Sequence, residues 1–212
     1  KRDLLNLIKQ KSKTNDINQF IHCIWYCVRT ESMYFDEMEK KFLALFQNIP
    51  IIIVLTRAYD DSTKQKMAKI IHQLKIRVNC IIPIVAEDEI LNSFSPPVVV
   101  KYYGISDLIY MTANTLKEPF KSKYLENYFN SRILKTINVI IAGKSGVGKS
   151  TLINSVLGVE LAETGIGKPI TQEIKVYKSK KISYNLIDTP GFELDANKQE
   201  QLKQQIYTKI KD

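Results

Sequence analysis

Residues 143–150 read Gly-Lys-Ser-Gly-Val-Gly-Lys-Ser, a glycine-spaced loop that ends in a lysine and a hydroxyl. The pattern G-x-x-x-x-G-K-[ST] wraps backbone N–H groups around phosphate oxygens. Gly143, Gly146 and Gly148 let the chain approach phosphate closely, and Lys144, Ser145 and Val147 lie between them along the same loop. Lys149 is placed to reach the terminal phosphates and the Ser150 hydroxyl to ligate Mg²⁺. Thr151 continues into a helix whose positive dipole end faces the anion.

A second constellation follows downstream. Residues 181–193 (KISYNLIDTPGFE) alternate like a strand and end in Asp188-Thr189-Pro190-Gly191. A carboxylate at a strand end beside a phosphate loop can hold Mg²⁺ through water, and the Gly191 amide is placed to meet a γ-phosphate. Between the two motifs lies a glycine-containing loop, 163–174 (ETGIGKPITQEI), in which Thr171 is positioned to close over Mg²⁺; Thr164 competes for that role. Lys149, Thr171 and Gly191 are thus the expected catalytic-side groups, and Ser150, Thr171 and Asp188 the expected metal set. Seven of the eight glycines fall within 143–191, so this segment is the one that meets a ligand with its backbone.

These groups need elements to hold them. The apolar run 137–142 (INVIIA) reads as a buried strand, and TLINSVL at 151–157 as a helix packed on a sheet, which is the strand–loop–helix setting the phosphate motif requires. Upstream, FIHCIWYCV (20–28), IPIIIVL (49–55) and VNCIIPIVAE (78–87) read as further strands. They are separated by helical patterns at 36–46, 62–74 and 104–116. Strands alternating with helices predict an α/β fold with a mostly parallel sheet and helices on both faces.

In order, GKSGVGKS, Thr171 and Asp188–Gly191 resemble the G1, G2 and G3 motifs of translation-factor-class GTPases, with Pro190 pointing to the ribosome-binding, Era-like branch. The resemblance implies GTP or GDP with Mg²⁺ as ligands. It also implies a guanine-reading motif, G4, after G3, but residues 192–212 hold nothing of that kind. A matching strand end occurs earlier, at Thr56-Arg57, with Asp60 one place beyond the expected carboxylate and G5 around Val85-Ala86-Glu87. Thr56, Arg57, Asp60, Ala86 and Glu87 are therefore the expected base-side contacts. The motif order becomes G4, G5, G1, G2, G3, that of a circularly permuted P-loop NTPase three-layer sandwich. Residues 1–116 would form the G4/G5 half, 117–136 a linker helix bearing Tyr124, Tyr128 and Phe129, and 137–212 the G1–G3 half. The helical character of 201–212 runs on into 1–13, as joined native ends require. A cut across two tandem domains is the rival organisation.

Three functional readings stay open on the sequence. The first is a slow, Mg²⁺-dependent GTPase switch, with ribosomal RNA, an assembly intermediate or another protein as partner. The second is a guanine-nucleotide-gated interaction module that barely hydrolyses. The third is a purine-tolerant ATPase, since Asp60 is displaced. Phe192 stands where related enzymes carry a water-orienting glutamine, so no general base is assigned. A nucleotide-dependent homodimer, with Lys144 or Lys168 acting across it, is one way to complete the site.

Composition agrees with an ordinary globular chain: 44% hydrophobic and 25% charged among 212 residues, with no run long enough to span a bilayer. A net charge of +9 suits an anionic partner, although no arginine-rich block with interleaved aromatics appears. Cys23, Cys27 and Cys80 lack metal-ligand spacing and read as reduced core residues of a cytoplasmic protein. His22 and His72 read as structural.

Overall fold

The computed structural model describes residues 21–44, 46, 49–116, 137–162, 174–178 and 184–191. Eight strands appear among them: β1 (Cys23–Arg29), β2 (Ile51–Thr56), β3 (Cys80–Pro83), β4 (Glu89–Leu91), β5 (Val98–Val100), β6 (Asn138–Ala142), β7 (Lys175–Tyr177) and β8 (Asn185–Asp188). The α-helices are α1 (Glu37–Ala44), α2 (Asp61–Gln73), α3 (Ile105–Thr115) and α4 (Lys149–Leu157).

One six-stranded sheet runs in the order β3-β2-β1-β6-β8-β7. All neighbours are parallel except the last pair, in which β7 runs antiparallel to β8. β6, which carries the phosphate loop, lies near the middle between β1 of the first half and β8 of its own half. Strands β1, β2 and β6 are buried almost throughout, which is why they read as unbroken apolar runs rather than alternating ones.

The two faces carry separate cores. On one, Cys23, Trp25, Cys27, Ile52 and Val54 pack with Leu108 and Ala113 of α3 and with Leu152, Ile153 and Val156 of α4. On the other, Ile24, Tyr26, Ile53 and Leu55 pack with Phe42 and Leu43 of α1 and Met67 and Ile71 of α2. The expected three-layer, permuted α/β sandwich is the architecture found.

Trp25 shows how the layers lock. Its indole N–H donates to Thr112 Oγ1 at 2.9 Å, and its ring meets Tyr184 edge-on at 5.7 Å between centroids. His22 takes the structural role expected of it: Nδ1 accepts the Asn138 amide at 3.0 Å, tying the entry of β1 to β6.

Two elements depart from the sequence reading. β3 is shorter than the 78–87 run, since Pro83 ends the ladder and Val85 makes only an isolated bridge to Tyr103. The unforeseen feature is an antiparallel hairpin, β4 with β5, between β3 and α3. Among the described residues, no helix is long and apolar enough to cross a membrane. The linker region 117–136, the two chain ends and the 163–173 loop lie outside the described residues.

Candidate functional site

β6 ends at Ala142 and the chain turns through the glycine loop into α4, whose first hydrogen bond runs from Leu152 N–H to Gly148 O at 2.9 Å. Gly143 has φ +145°, and a Cβ there would stand 2.4 Å from the Cys27 carbonyl oxygen. Only glycine lets the loop leave β6 so close to β1. Lys149 is buried, with Nζ donating to the carbonyls of Gly143 at 3.0 Å and Lys144 at 2.8 Å. Its ammonium is thereby held inside the ring of the loop. Ser150 and Thr151 follow on the first turn of α4.

The second motif reaches the same place through β8. Asp188 ends that strand opposite Ile141 of β6, and it is 1% exposed. Thr189 Oγ1 donates to the Ile141 carbonyl at 2.8 Å, fixing the turn that follows. A Cβ on Gly191 would fall 2.5 Å from the Ser145 nitrogen, so the turn lies directly against the phosphate loop. The structure thus brings Asp188 and Gly191 together with residues 143–150.

The upstream strand end contributes as well. Thr56 Oγ1 donates to the Val147 carbonyl at 2.6 Å and lies 3.2 Å from that of Val28, while the Thr56 carbonyl accepts from Thr30 Oγ1 at 2.7 Å. A hydroxyl from the first half of the chain therefore anchors the phosphate loop of the second. Arg57 follows with φ +53°, turning the chain away from the sheet.

Asp60 is exposed and caps α2. Its carboxylate accepts the Thr63 amide at 2.8 Å and the Thr63 hydroxyl, which holds its pKa below the usual carboxylate range. Tyr59 bonds Glu89 of the hairpin instead, and Tyr103 at the hairpin's base donates to the Ala58 carbonyl and accepts from Lys64 at 3.1 Å. Sequence reasoning missed this buttress; Tyr59 and Tyr103 beside a Val98-Val99-Val100 run were its available signal.

Ala86, Glu87 and Thr151 line one cavity of about 240 Å³ with Asn154, Ser155 and Gly158. That groups the expected G5 residues with one flank of α4 from Thr151 to its C-terminal end, and neither Asp60 nor residues 143–150 are among the lining residues. Thr171, Thr164, Lys168 and Phe192 lie outside the described residues.

Lys144 points away from the loop. Its Nζ stands 2.8 Å from Asp36 Oδ2 and 3.3 Å from Glu39 Oε2, and 5.4 Å from the centre of the Tyr34 ring. Burial alone would lower the Lys144 pKa, but the two carboxylates outweigh it and raise it. Burial likewise works to raise Asp36, yet Lys144 and the amides of Glu39 and Met38 hold it below its usual value.

Residues 138–212 match the family model described as 50S ribosome-binding GTPase. The chain is 35% identical over 96 residues to the small ribosomal subunit biogenesis GTPase RsgA of Clostridium kluyveri, covering 41% of this chain and 33% of that one. It is 33% identical over 84 residues to cell division control protein 10 of Saccharomyces cerevisiae, covering 32% of this chain and 26% of that one. The match thus spans a third or less of these relatives. Among solved structures, YjeQ from Thermotoga maritima is similar with a TM-score of 0.43 at 18% identity, covering 82% of this chain and 49% of that one. The second part of the chain is thus similar to ribosome-binding-type GTPases, and its phosphate loop sits on a central strand flanked by a strand from the chain's first half, as a circularly permuted motif order requires.

Proposed function

We propose that the protein binds guanine nucleotide and acts as a nucleotide-dependent switch that hydrolyses GTP slowly. The observation that carries this is the contact between two loops from adjacent strands, with Gly191 seated on Ser145 beside the enclosed Lys149. A γ-phosphate bound there would touch both loops and a diphosphate only the first. In this reading residues 1–212 form one permuted domain, and 117–136 bridge its halves.

Mg²⁺ fits the oxygen donors available. Asp188 supplies a buried carboxylate and Ser150 a hydroxyl, and hard divalent cations prefer such ligands. Thr171 would complete the set. When bound, the ion would offset charge on the phosphates. The chain's own part is to orient them: loop amides hold the oxygens, and Lys149 is released from the loop carbonyls to meet the anion.

One observation favours a second reading, a purine-tolerant NTPase. Asp60 is occupied in capping α2, and a carboxylate held there does not read guanine's paired donors. Calorimetric titration with GTP, GDP and ATP, each with Mg²⁺, separates the two. Binding of GTP and GDP with ATP ignored supports the switch, equal ATP binding supports the second reading, and no binding overturns both. Phosphate release that rises with protein concentration would support hydrolysis within a homodimer. No turnover with candidate partners would leave a nucleotide-gated module.

The partner reading is ribosomal RNA or an assembly intermediate in the cytoplasm. Its support is the net charge of +9, the ribosome-related names of the matching family model and of RsgA, and a cleft of about 490 Å³ lined by Lys40, Lys41, Lys75 and Arg77. That cleft lies between the ends of α1 and α2, toward the starts of the strands and away from the phosphate loop.

A further inference from the structure

Lys149 and Lys144 divide their labour. The first turns inward onto the loop's carbonyls, one of them that of Lys144 itself. The second extends outward to Asp36 and Glu39 at the start of α1. Those carboxylates are fixed by more than the lysine. Asp36 Oδ1 accepts the Glu39 amide and Glu39 Oε2 accepts the Asp36 amide, each at 2.8 Å, a reciprocal helix cap. Glu39 also accepts the Tyr26 hydroxyl at 3.0 Å, and it is 3% exposed.

A buried carboxylate needs a compensating cation. This one has drawn its cation from the phosphate loop. We propose that Lys144 is a positioning residue that neutralises the Asp36–Glu39 pair beside the bound nucleotide, rather than gripping phosphate itself. The proposal rests on the nucleotide-binding reading. Without Lys144, two fixed negative charges held within one lysine side chain of the phosphate loop would stand uncompensated near an anionic ligand. Their repulsion grows with ligand charge, so GTP would suffer more than GDP. The lysine also ties the loop to α1, and through Tyr26 to the centre of the sheet.

The test compares the full chain with K144M, K144R, D36N/E39Q and the triple variant K144M/D36N/E39Q. Each is titrated calorimetrically with GTP and GDP in the presence of Mg²⁺. Asparagine still caps a helix and glutamine still serves three places later, so the charges go while the cap stays. K144M is expected to weaken GTP binding about tenfold, in the range of coupled neighbours, and GDP binding less. K144R stays near the unaltered chain. The triple variant returns to within about twofold of D36N/E39Q, because no uncompensated charge is left to repel the ligand. That last comparison does not depend on K144M folding.

A triple variant still about tenfold weaker than D36N/E39Q overturns the proposal, since the lysine would then act on phosphate directly. K144M binding GTP like the unaltered chain overturns it too. An unaltered chain that binds no nucleotide overturns the functional reading itself, a separate and recognisable result.

Discussion

At the scale of single residues, the site is a set of short tethers, and each can be cut separately. Thr56 reaches the phosphate loop through one hydroxyl, from Oγ1 to the Val147 carbonyl. Thr56→Val keeps the shape and removes that bond, so nucleotide affinity should fall about fivefold to tenfold, the worth of one buried hydrogen bond. Calorimetry measures the fall, and affinity unchanged to within error would show that the tether does not shape the loop. Gly191→Ala forces a Cβ against the Ser145 amide, and in the proposed switch it should weaken GTP more than GDP. Asp36 gives a prediction in pH. Its folded pKa lies below the unfolded value, so its stabilising contribution is present above about pH 4 and is lost as pH falls through the folded value. The melting-temperature gap between the protein and Asp36→Asn should therefore close in acid. Lys144 behaves oppositely: its raised pKa means its contribution is lost only as pH climbs through that value at the alkaline end.

Elements were legible where burial is two-sided. Strands β1, β2 and β6 announce themselves as nearly unbroken apolar runs, and the glycine loop is fixed by what phosphate requires. The β4–β5 hairpin was not legible, because Ile90, Val98 and Val99 are exposed and no core imposes a period on them. The carboxylates that meet Lys144 were hidden for another reason. Asp36 and Glu39 lie more than a hundred positions from the lysine in sequence, so no local pattern links them to it. Asp60 was visible as a carboxylate near a strand end, yet cap and base contact look alike until the Thr63 amide is placed. Packing adds two predictions. Trp25→Ala removes a fully buried ring from between α3 and β1 and should cost about 3–5 kcal/mol in denaturant unfolding. Burial pushes the Cys23 and Cys27 thiols up to about 12, so a thiolate-selective reagent at neutral pH should modify half-buried Cys80 first. Rapid labelling of Cys23 in the native protein would contradict the packing.

For the whole molecule, the decisive contact is the pairing of β1 with β6 across the permuted chain. Residues 1–136, expressed without 137–212, should lack the native Trp25 environment, since Tyr184 comes from the second piece. Mixing the two pieces should restore its fluorescence, and a native signal from the first piece alone would show that the halves are independent. The same pairing has a consequence during synthesis. Emerging from its amino end, the chain releases β1, β2 and β3 long before β6 exists, leaving β1 with an open edge of unpaired amides and carbonyls. The strand that closes that edge also brings the phosphate loop. A nascent chain must therefore keep that open edge occupied or shielded until the ligand-gripping segment leaves the exit tunnel.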